Sequence, residues 1–524
     1  MKLSVQKRYL IFPVRSTAVY KKLRFFSREN VVYELDIRLD NHDPDFHAAL
    51  DVSRFMGEEL ELQVSPEMPL CYQETDERNI PDLYRETLRP QVHFTPQLGW
   101  TNDPNGLVYL NGQYHLFFQH NPCDRAWGNM HWGHAISTDL IHWEEQPIAL
   151  FPDEMGTMFS GSGLLDVHDR LGLASGEMPT AVLFYTAAGN PFTQCMAYST
   201  DGLQTIHKFP GNPILPHVAG CNRDPKVVFC EELDAYLMAL YLDGDEYALF
   251  TSTDLVHWSE QQRLNLPGCA ECPDIFPLVD PAGERRWVFM GANNRYYIGG
   301  FQNGRFTPSQ SLQTLFYDPY TYAAQSFSDL PDGRIVRIAW NRCAGWSESH
   351  FSQQMGIPTA MSLERGGELT YLCARPVSEL WSLCSRREVR EDLRLAAGIP
   401  YKVALEEPRL LFQLEGDFDP ETTLCIGCFG QEFDCDMKQN QWHMPQVHGP
   451  LSAEQTQLSL TVVIDRCSVE VFADNGKFCY TGADVSHISD PNLPWLTLTA
   501  DREYTIRRLE LCPLDSIWKK HTDA

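Results

Sequence analysis

The chain of 524 residues has no run of 18 or more apolar residues, so no segment reads as a membrane-spanning helix. Positive charge is scarce: 42 Lys and Arg stand against 70 Asp and Glu, a formal net charge of −28. A chain this acidic repels phosphate backbones and anionic lipid, which argues against nucleic acid or a membrane as its main partner and favours neutral small molecules or sugars. The opening MKLSVQKRYLIFPVRSTAVYKK is basic but lacks an uninterrupted apolar core. It predicts no signal peptide, and with it a cytoplasmic protein. A clean 3.6-residue apolar period is also missing; only ELWSLCSRREVREDLRL, residues 379–395, suggests some helix.

What is abundant is aromatic and sulfur-bearing. Aromatic residues make up 12% of the chain, with 12 Trp, which suits stacking platforms or a core rich in flat side chains. The 16 cysteines are expected to be reduced thiols packed as small apolar groups. Two CxxC pairs, Cys269–Cys272 and Cys425–Cys428, could hold zinc only by joining distant segments. Neither sits in a short zinc-ribbon context, so no metal site is expected.

The dominant pattern is β. Tyr33, Leu35, Ile37 and Leu39 alternate with Glu34, Asp36, Arg38 and Asp40, the period of two of a half-buried strand. Asn111–Gly112 between LVYL and QYHLFF predicts a tight hairpin, and Asp243–Gly244, Asn303–Gly304, Asp332–Gly333 and Asn475–Gly476 sit in similar settings. Ser137-Thr-Asp-Leu-Ile-His-Trp143 returns as Ser252-Thr-Asp-Leu-Val-His-Trp258, with a weaker copy at Ser199-Thr-Asp201. Such spacing in an all-β chain suggests propeller blades of about four strands, each Ser-Thr-Asp capping a turn before the next strand. Three regions follow: a β-rich module over 1–85, a repeat-bearing region over 86–380, and a β-sandwich over 381–524.

Three acids stand in unusual local settings. Asp103, in Trp100-Thr-Asn-Asp103-Pro-Asn-Gly106, is biased toward extended geometry by Pro104 and presented at a strand start; the plainer alternative is an Asx-turn. Asp224 follows Arg223, whose charge would keep it ionised; the alternative is a surface ion pair. Glu271, in Gly268-Cys-Ala-Glu-Cys-Pro-Asp-Ile-Phe276, has apolar neighbours of the kind that suit a general acid near neutral pH; the alternative is an exposed loop. Together they are acids that a propeller could aim at one axial funnel. Two carboxylates flanking a glycosidic bond are the usual requirement for sugar hydrolysis. Trp100, Trp127, Trp132, Phe159 and Trp340 suit stacking on sugar faces.

HFTPQLGWTNDPNG, WGNMHWGHAISTDLIHW, FSGSG, NRDP and AECPD occur in that order, followed by YAAQSF at 322–327, ARPVSEL at 374–380 and SVEVFADNG at 468–476. In combination they resemble glycoside hydrolase family 32, the invertases, inulinases, levanases and sucrose-6-phosphate hydrolases, over about residues 90 to 515. The resemblance implies a five-bladed β-propeller followed by a β-sandwich. It implies Asp103 as nucleophile, Glu271 as acid/base with Cys272 beside it, and Asp224 as holder of fructose hydroxyls with Arg223 as its neighbour. Trp100 belongs to the same segment, and Asn102, Gln119, Trp127, Phe159, Ser160 and Trp340 would line the fructose pocket. The implied chemistry is double displacement with retained configuration, carboxyl groups about 5–5.5 Å apart, and no metal or organic cofactor.

Two departures and one addition qualify this. The family often has an Asp where Tyr320 stands, two residues before Tyr322, and Asn341-Arg342-Cys343 differs from common invertase patterns. The leaving-group side is therefore expected to be altered, with Arg342 either on the surface or meeting a phosphorylated or longer substrate. The first 85 residues lie outside the family core; Tyr20, Phe25, Phe26 and Tyr33 are expected to pack a core rather than bind sugar. The expectation is a β-fructofuranosidase acting on short fructosides. A fructosyltransferase using the same residues, or a sugar-binding propeller without catalysis, are the alternatives. A homo-oligomer formed through either terminal β module is also compatible with the sequence.

Overall fold

The computed structural model describes residues 1–518 except 175, 177, 344–348, 407, 429–430, 445–446 and 484–494. The described residues are almost entirely strands joined by turns, and none of their helices is long and apolar enough to cross a membrane.

Five consecutive antiparallel meanders form the propeller. Their first strands are Gly99–Leu110, Thr157–Asp166, Arg223–Cys230, Asp274–Val279 and Thr321–Ser326, here numbered blades I to V. These first strands pack against one another in order, and that of blade V meets that of blade I. Closure is reinforced by Phe351–Ser352, which pairs in parallel with Gly99–Trp100. Buried polar side chains tie the blades together. Lys226 of blade III donates to the Ser326 carbonyl of blade V at 2.7 Å and pairs with Asp274 of blade IV at 3.4 Å. Arg337 reaches the same Asp274 at 3.0 Å. Each buried charge thereby has a partner, as burial requires.

The repeated heptad marks one place in three blades, the turn from third to fourth strand. Asp139 accepts from the Ile141 and His142 amides at 3.0 and 2.8 Å, and Asp254 does the same for Val256 and His257 at 3.0 and 2.8 Å. The indoles of Trp143 and Trp258 both donate at 3.0 Å to the carbonyls of Leu140 and Leu255. The short side-chain acceptor satisfies amides that a tight turn leaves unpaired. Asn111–Gly112 is a two-residue hairpin turn with φ of 52° and 80°, the left-handed values such a turn demands.

At the N-terminus, sheets of four and three strands spanning 2–75 enclose a core containing Phe12, Phe25, Tyr33, Leu35 and Ile37. Glu34 and Asp36 face outward, as the alternation predicts. Phe25 and Tyr33 are core residues, whereas Tyr20 is 44% exposed beneath the Arg38 guanidinium. At the C-terminus two six-stranded sheets form the sandwich, its core including Phe412, Leu424, Trp442 and Val471.

The sandwich is riveted to the propeller by a buried histidine. His93 Nδ1 lies 2.9 Å from Asp465 and Nε2 3.2 Å from Glu470, all three out of solvent. Glu470 also accepts from the Asn341 carboxamide, beside Trp340, and from the Ile357 amide at 3.2 Å. Although burial opposes charging the ring, the two carboxylates prevail and push His93 up to about 9.

Two expectations need correction. The segment 379–395 is not helical beyond a 3-10 turn at Ser378–Leu383; Glu388–Leu395 is a strand paired with Tyr504–Pro513. It lies at the edge of its sheet, and charged side chains on an edge strand obscure the period of two. Nor are all cysteines free: Cys384 and Cys512 form a disulfide, brought to a Cα separation of 5.4 Å by the bridge between Cys384 and Leu514.

Candidate active site

Four of the five first strands break register where they carry a predicted or neighbouring site residue. The irregularities fall between Thr101 and Pro104 around Asp103, between Phe159 and Gly161 at Ser160, between Arg223 and Lys226 at Asp224, and between Tyr322 and Gln325. A bulge inserts an extra residue and re-aims its side chain, so each strand can turn a polar group out of the pleat toward the axis. At Gly161 the sheet closes in tightly: an added Cβ would lie 1.9 Å from the Phe184 carbonyl oxygen. Glu271 precedes the first strand of blade IV. Asp224, Cys272 and Ala323, next to Tyr322, have φ of 64°, 47° and 48°, sparsely populated values for residues with side chains and typical of constrained sites.

The side chains form a connected set. Asp103 accepts from the Ser160 hydroxyl at 2.6 Å and the Asn102 carboxamide at 3.1 Å; Asn102 in turn accepts from the Trp100 indole at 2.8 Å. The Cys272 thiol lies 3.5 Å from Asp103 and 3.2 Å from Asp224, within hydrogen-bonding reach of both. The Cys272 amide also donates to Asp224 at 3.2 Å. Arg223 joins Asp224, at 3.6 Å, to Glu271, which it contacts through both Nε and Nη2. The Tyr322 hydroxyl donates to the other Glu271 oxygen at 2.8 Å. Trp340 meets Trp100 edge-on at 5.9 Å, and Trp127 meets Phe159 likewise at 5.9 Å. Gln119 is buried on the strand facing the Thr101–Pro104 bulge. It makes no side-chain hydrogen bond to the acids among the described residues, and its amide nitrogen is unpartnered.

Charge is concentrated here. Burial pushes the Asp103 carboxyl above the ordinary aspartate range, Glu271 adds to the push, and the Ser160 and Asn102 hydrogen bonds oppose it. Asp224 is pushed up to about 7, because burial and the neighbouring acids outweigh Arg223. Arg223 does pull Asp224 toward ionisation, as expected, but desolvation is the larger effect and the guanidinium is shared with Glu271. Burial likewise holds the Cys272 thiol well above its usual range, so it stays a neutral donor.

Glu271 also differs from its predicted apolar setting, since its carboxylate is 30% exposed and gripped by an arginine and a tyrosine. Neither charge nor spacing singles out Tyr322 as a site residue; its signal in the sequence is its place at the head of YAAQSF. Thr186 and Gln353 left no signal: the first accepts from the Asp224 amide at 3.0 Å, the second from the Trp340 indole at 3.2 Å. Arg342 is not a free surface arginine. Its guanidinium lies 3.7 Å from the Tyr322 ring centre and 4.8 Å from that of Trp340. Tyr320, the departure noted above, packs toward the sandwich.

Known proteins agree with this architecture. Residues 93–376 match the glycosyl hydrolases family 32 N-terminal domain and residues 431–483 the family 32 C-terminal domain. A levanase of Bacillus subtilis is 30% identical over 489 residues, covering 83% of this chain and 72% of its own. An invertase of Schizosaccharomyces pombe is 34% identical over 329 residues, covering 57% of this chain and 56% of its own. The crystal structure of an exo-inulinase from Aspergillus awamori superposes with a TM-score of 0.74 at 26% identity, covering 83% of this chain and all of that one. The chain belongs to glycosyl hydrolase family 32 and is a glycoside hydrolase of the β-fructofuranosidase type.

Proposed function

We propose that Asp103, Glu271 and Asp224 carry out retaining hydrolysis of terminal non-reducing β-D-fructofuranosyl residues on short fructosides. The observation that supports these roles is the convergence of three acids from blades I, III and IV, bridged by one thiol and one guanidinium. Asp103 attacks the anomeric C2 while Glu271 protonates the leaving oxygen. Glu271 then activates water to release the fructosyl group from Asp103. Asp224 accepts from sugar hydroxyls, bonds that strengthen as positive charge grows at C2 and the ring oxygen. Trp100, Trp127, Phe159 and Trp340 form the aromatic wall. Arg342, stacked behind Tyr322, places positive charge near the leaving group.

The test is fructose release from sucrose, sucrose 6-phosphate, inulobiose, inulin and levan by the native chain and by Asp103→Asn and Glu271→Gln. Both variants are expected to lose turnover by at least a factor of about 10³ while keeping the fold. Native-like hydrolysis by either overturns the assignment. Fructosyl transfer uses the same residues, and products formed at high substrate concentration separate it from hydrolysis. A reducing cytoplasmic location is part of the proposal, supported by the 14 cysteines that are free thiols, most of them buried, and opposed by the one pair, Cys384–Cys512, that is bonded. Recovery of the activity outside intact cells of the source organism contradicts it.

A further inference from the structure

The loop 122–130 joins the second and third strands of blade I and carries Trp127, 55% exposed and in contact with Phe159 beside Ser160. Its geometry is not set by the propeller alone. Asn129 has φ of 45° and turns its carboxamide onto the outer strand of the N-terminal sheet, Asn30–Ile37. There it donates to the Asp36 carbonyl at 2.7 Å and accepts from the Asp36 amide at 2.8 Å. One side chain thus pairs with a sheet edge as a neighbouring strand would.

Further contacts act on the same loop. Arg38 grips the fully buried Asp124 with both ends of its fork, Nε at 2.7 Å, and Asp124 also accepts from the Ala126 amide at 3.1 Å, next to Trp127. Cys123 belongs to the N-terminal core cluster. Arg125 pairs with Asp45 at 3.2 Å and donates to the Ser349 carbonyl at 2.8 Å, so the loop is held from the N-terminal module and from the closing segment of the propeller. Behind it, the Tyr33 hydroxyl meets His131 at 2.8 Å.

We infer that the N-terminal module, which lies outside both matched family domains, is a positioning element of the sugar site: through Asp36 and Arg38 it fixes loop 122–130 and so holds Trp127 against the bound fructoside. The inference rests on the placement of Trp127 in the sugar site proposed above. Arg38 and Asn129 touch no substrate; they act through the loop. A two-point arginine–carboxylate pair restrains direction as well as distance, which suits such a task.

The test is a double-mutant cycle on the full chain with sucrose, reading KM and kcat separately, with intrinsic tryptophan fluorescence on adding fructose as a second readout. Asn129→Gly removes both bonds to Asp36 while tolerating the left-handed φ. Arg38→Gln removes the fork, and Arg38→Lys should restore part of the effect. Asn129→Gly and Arg38→Gln are each expected to raise KM by about tenfold with kcat changed less than threefold, and to weaken the fructose-induced fluorescence change. In a Trp127→Ala background the same changes should add less than twofold to KM. Equal KM effects in both backgrounds, or a lowered melting temperature with unchanged KM, overturn the inference. A Trp127→Ala variant whose KM is native overturns instead the placement of Trp127 in the sugar site.

Discussion

The His93 rivet allows a stability prediction with a definite sign. His93 is pushed up to about 9 from an ordinary 6.5 because, against the opposing effect of burial, Asp465 and Glu470 face its two ring nitrogens, with all three side chains buried. A raised histidine stabilises the fold fully below its unfolded value of 6.5, and that contribution disappears as pH rises through 9. The shift corresponds to about 3 kcal/mol, at 1.36 kcal/mol per pH unit. Thermal unfolding of the native chain should therefore fall progressively between pH 6.5 and 9. Replacing His93 with Gln keeps hydrogen-bonding capacity but leaves two buried carboxylates facing each other without a cation. Breaking a buried pair from one side costs about 3–5 kcal/mol. For a chain of 524 residues that should lower the melting temperature at pH 6 by roughly 3–5 °C. The loss should be smaller at pH 9, where the native histidine is itself half-deprotonated. Because Glu470 holds Asn341 next to Trp340, activity at a permissive temperature should also drop. Differential scanning fluorimetry across this range decides the matter. Melting curves that fall in parallel for the two proteins would refute the charged rivet.

Two predictions concern the site itself. Asp103 must be ionised to attack, and its carboxyl is raised, so kcat/KM for sucrose should fall on the acid side with a midpoint above 3.8; a limb at or below that value contradicts the burial argument. Tyr322→Phe removes the hydroxyl that donates to Glu271 but keeps the ring under Arg342, and losing a hydrogen bond to a charged group costs about 1.5–3 kcal/mol, or roughly 10- to 100-fold in kcat. The loss should shrink with an aryl fructofuranoside whose leaving group needs little protonation; an equal loss on both substrates would place Tyr322 outside the protonation step.

Much of the fold was legible because its signals are local. Alternation at Tyr33–Ile37, the Asn111–Gly112 turn and the repeated Ser-Thr-Asp heptad each act within a few residues, and each has its predicted place in the sheets. The strand Glu388–Leu395 was obscured because its partner, the last strand, lies over a hundred residues away and its edge position admits charge on both faces. At the site, the structure brings Asp103, Asp224 and Glu271 together as their motifs suggested. The electrostatics could not be read the same way. Whether Arg223 serves Asp224 or Glu271 depends on how blades III and IV meet, and desolvation of Asp224 depends on the whole ring. The role of Tyr322, and the stacking that decides between the two readings of Arg342, were hidden for a related reason. Their roles arise from stacking between neighbouring strands, and no spacing along the chain encodes that contact.

The central claim is that Asp103 becomes covalently bonded to fructose while Glu271 governs both proton transfers. Its most direct test is to give the Glu271→Gln variant an activated fructofuranoside, which needs no acid to depart, then quench, digest and weigh the peptides. The account predicts one anhydrofructosyl unit on the peptide containing Asp103, with release of the first equivalent of leaving group faster than later turnover. An unmodified Asp103 peptide under conditions where the leaving group is expelled, or the sugar attached to another carboxylate, would contradict it.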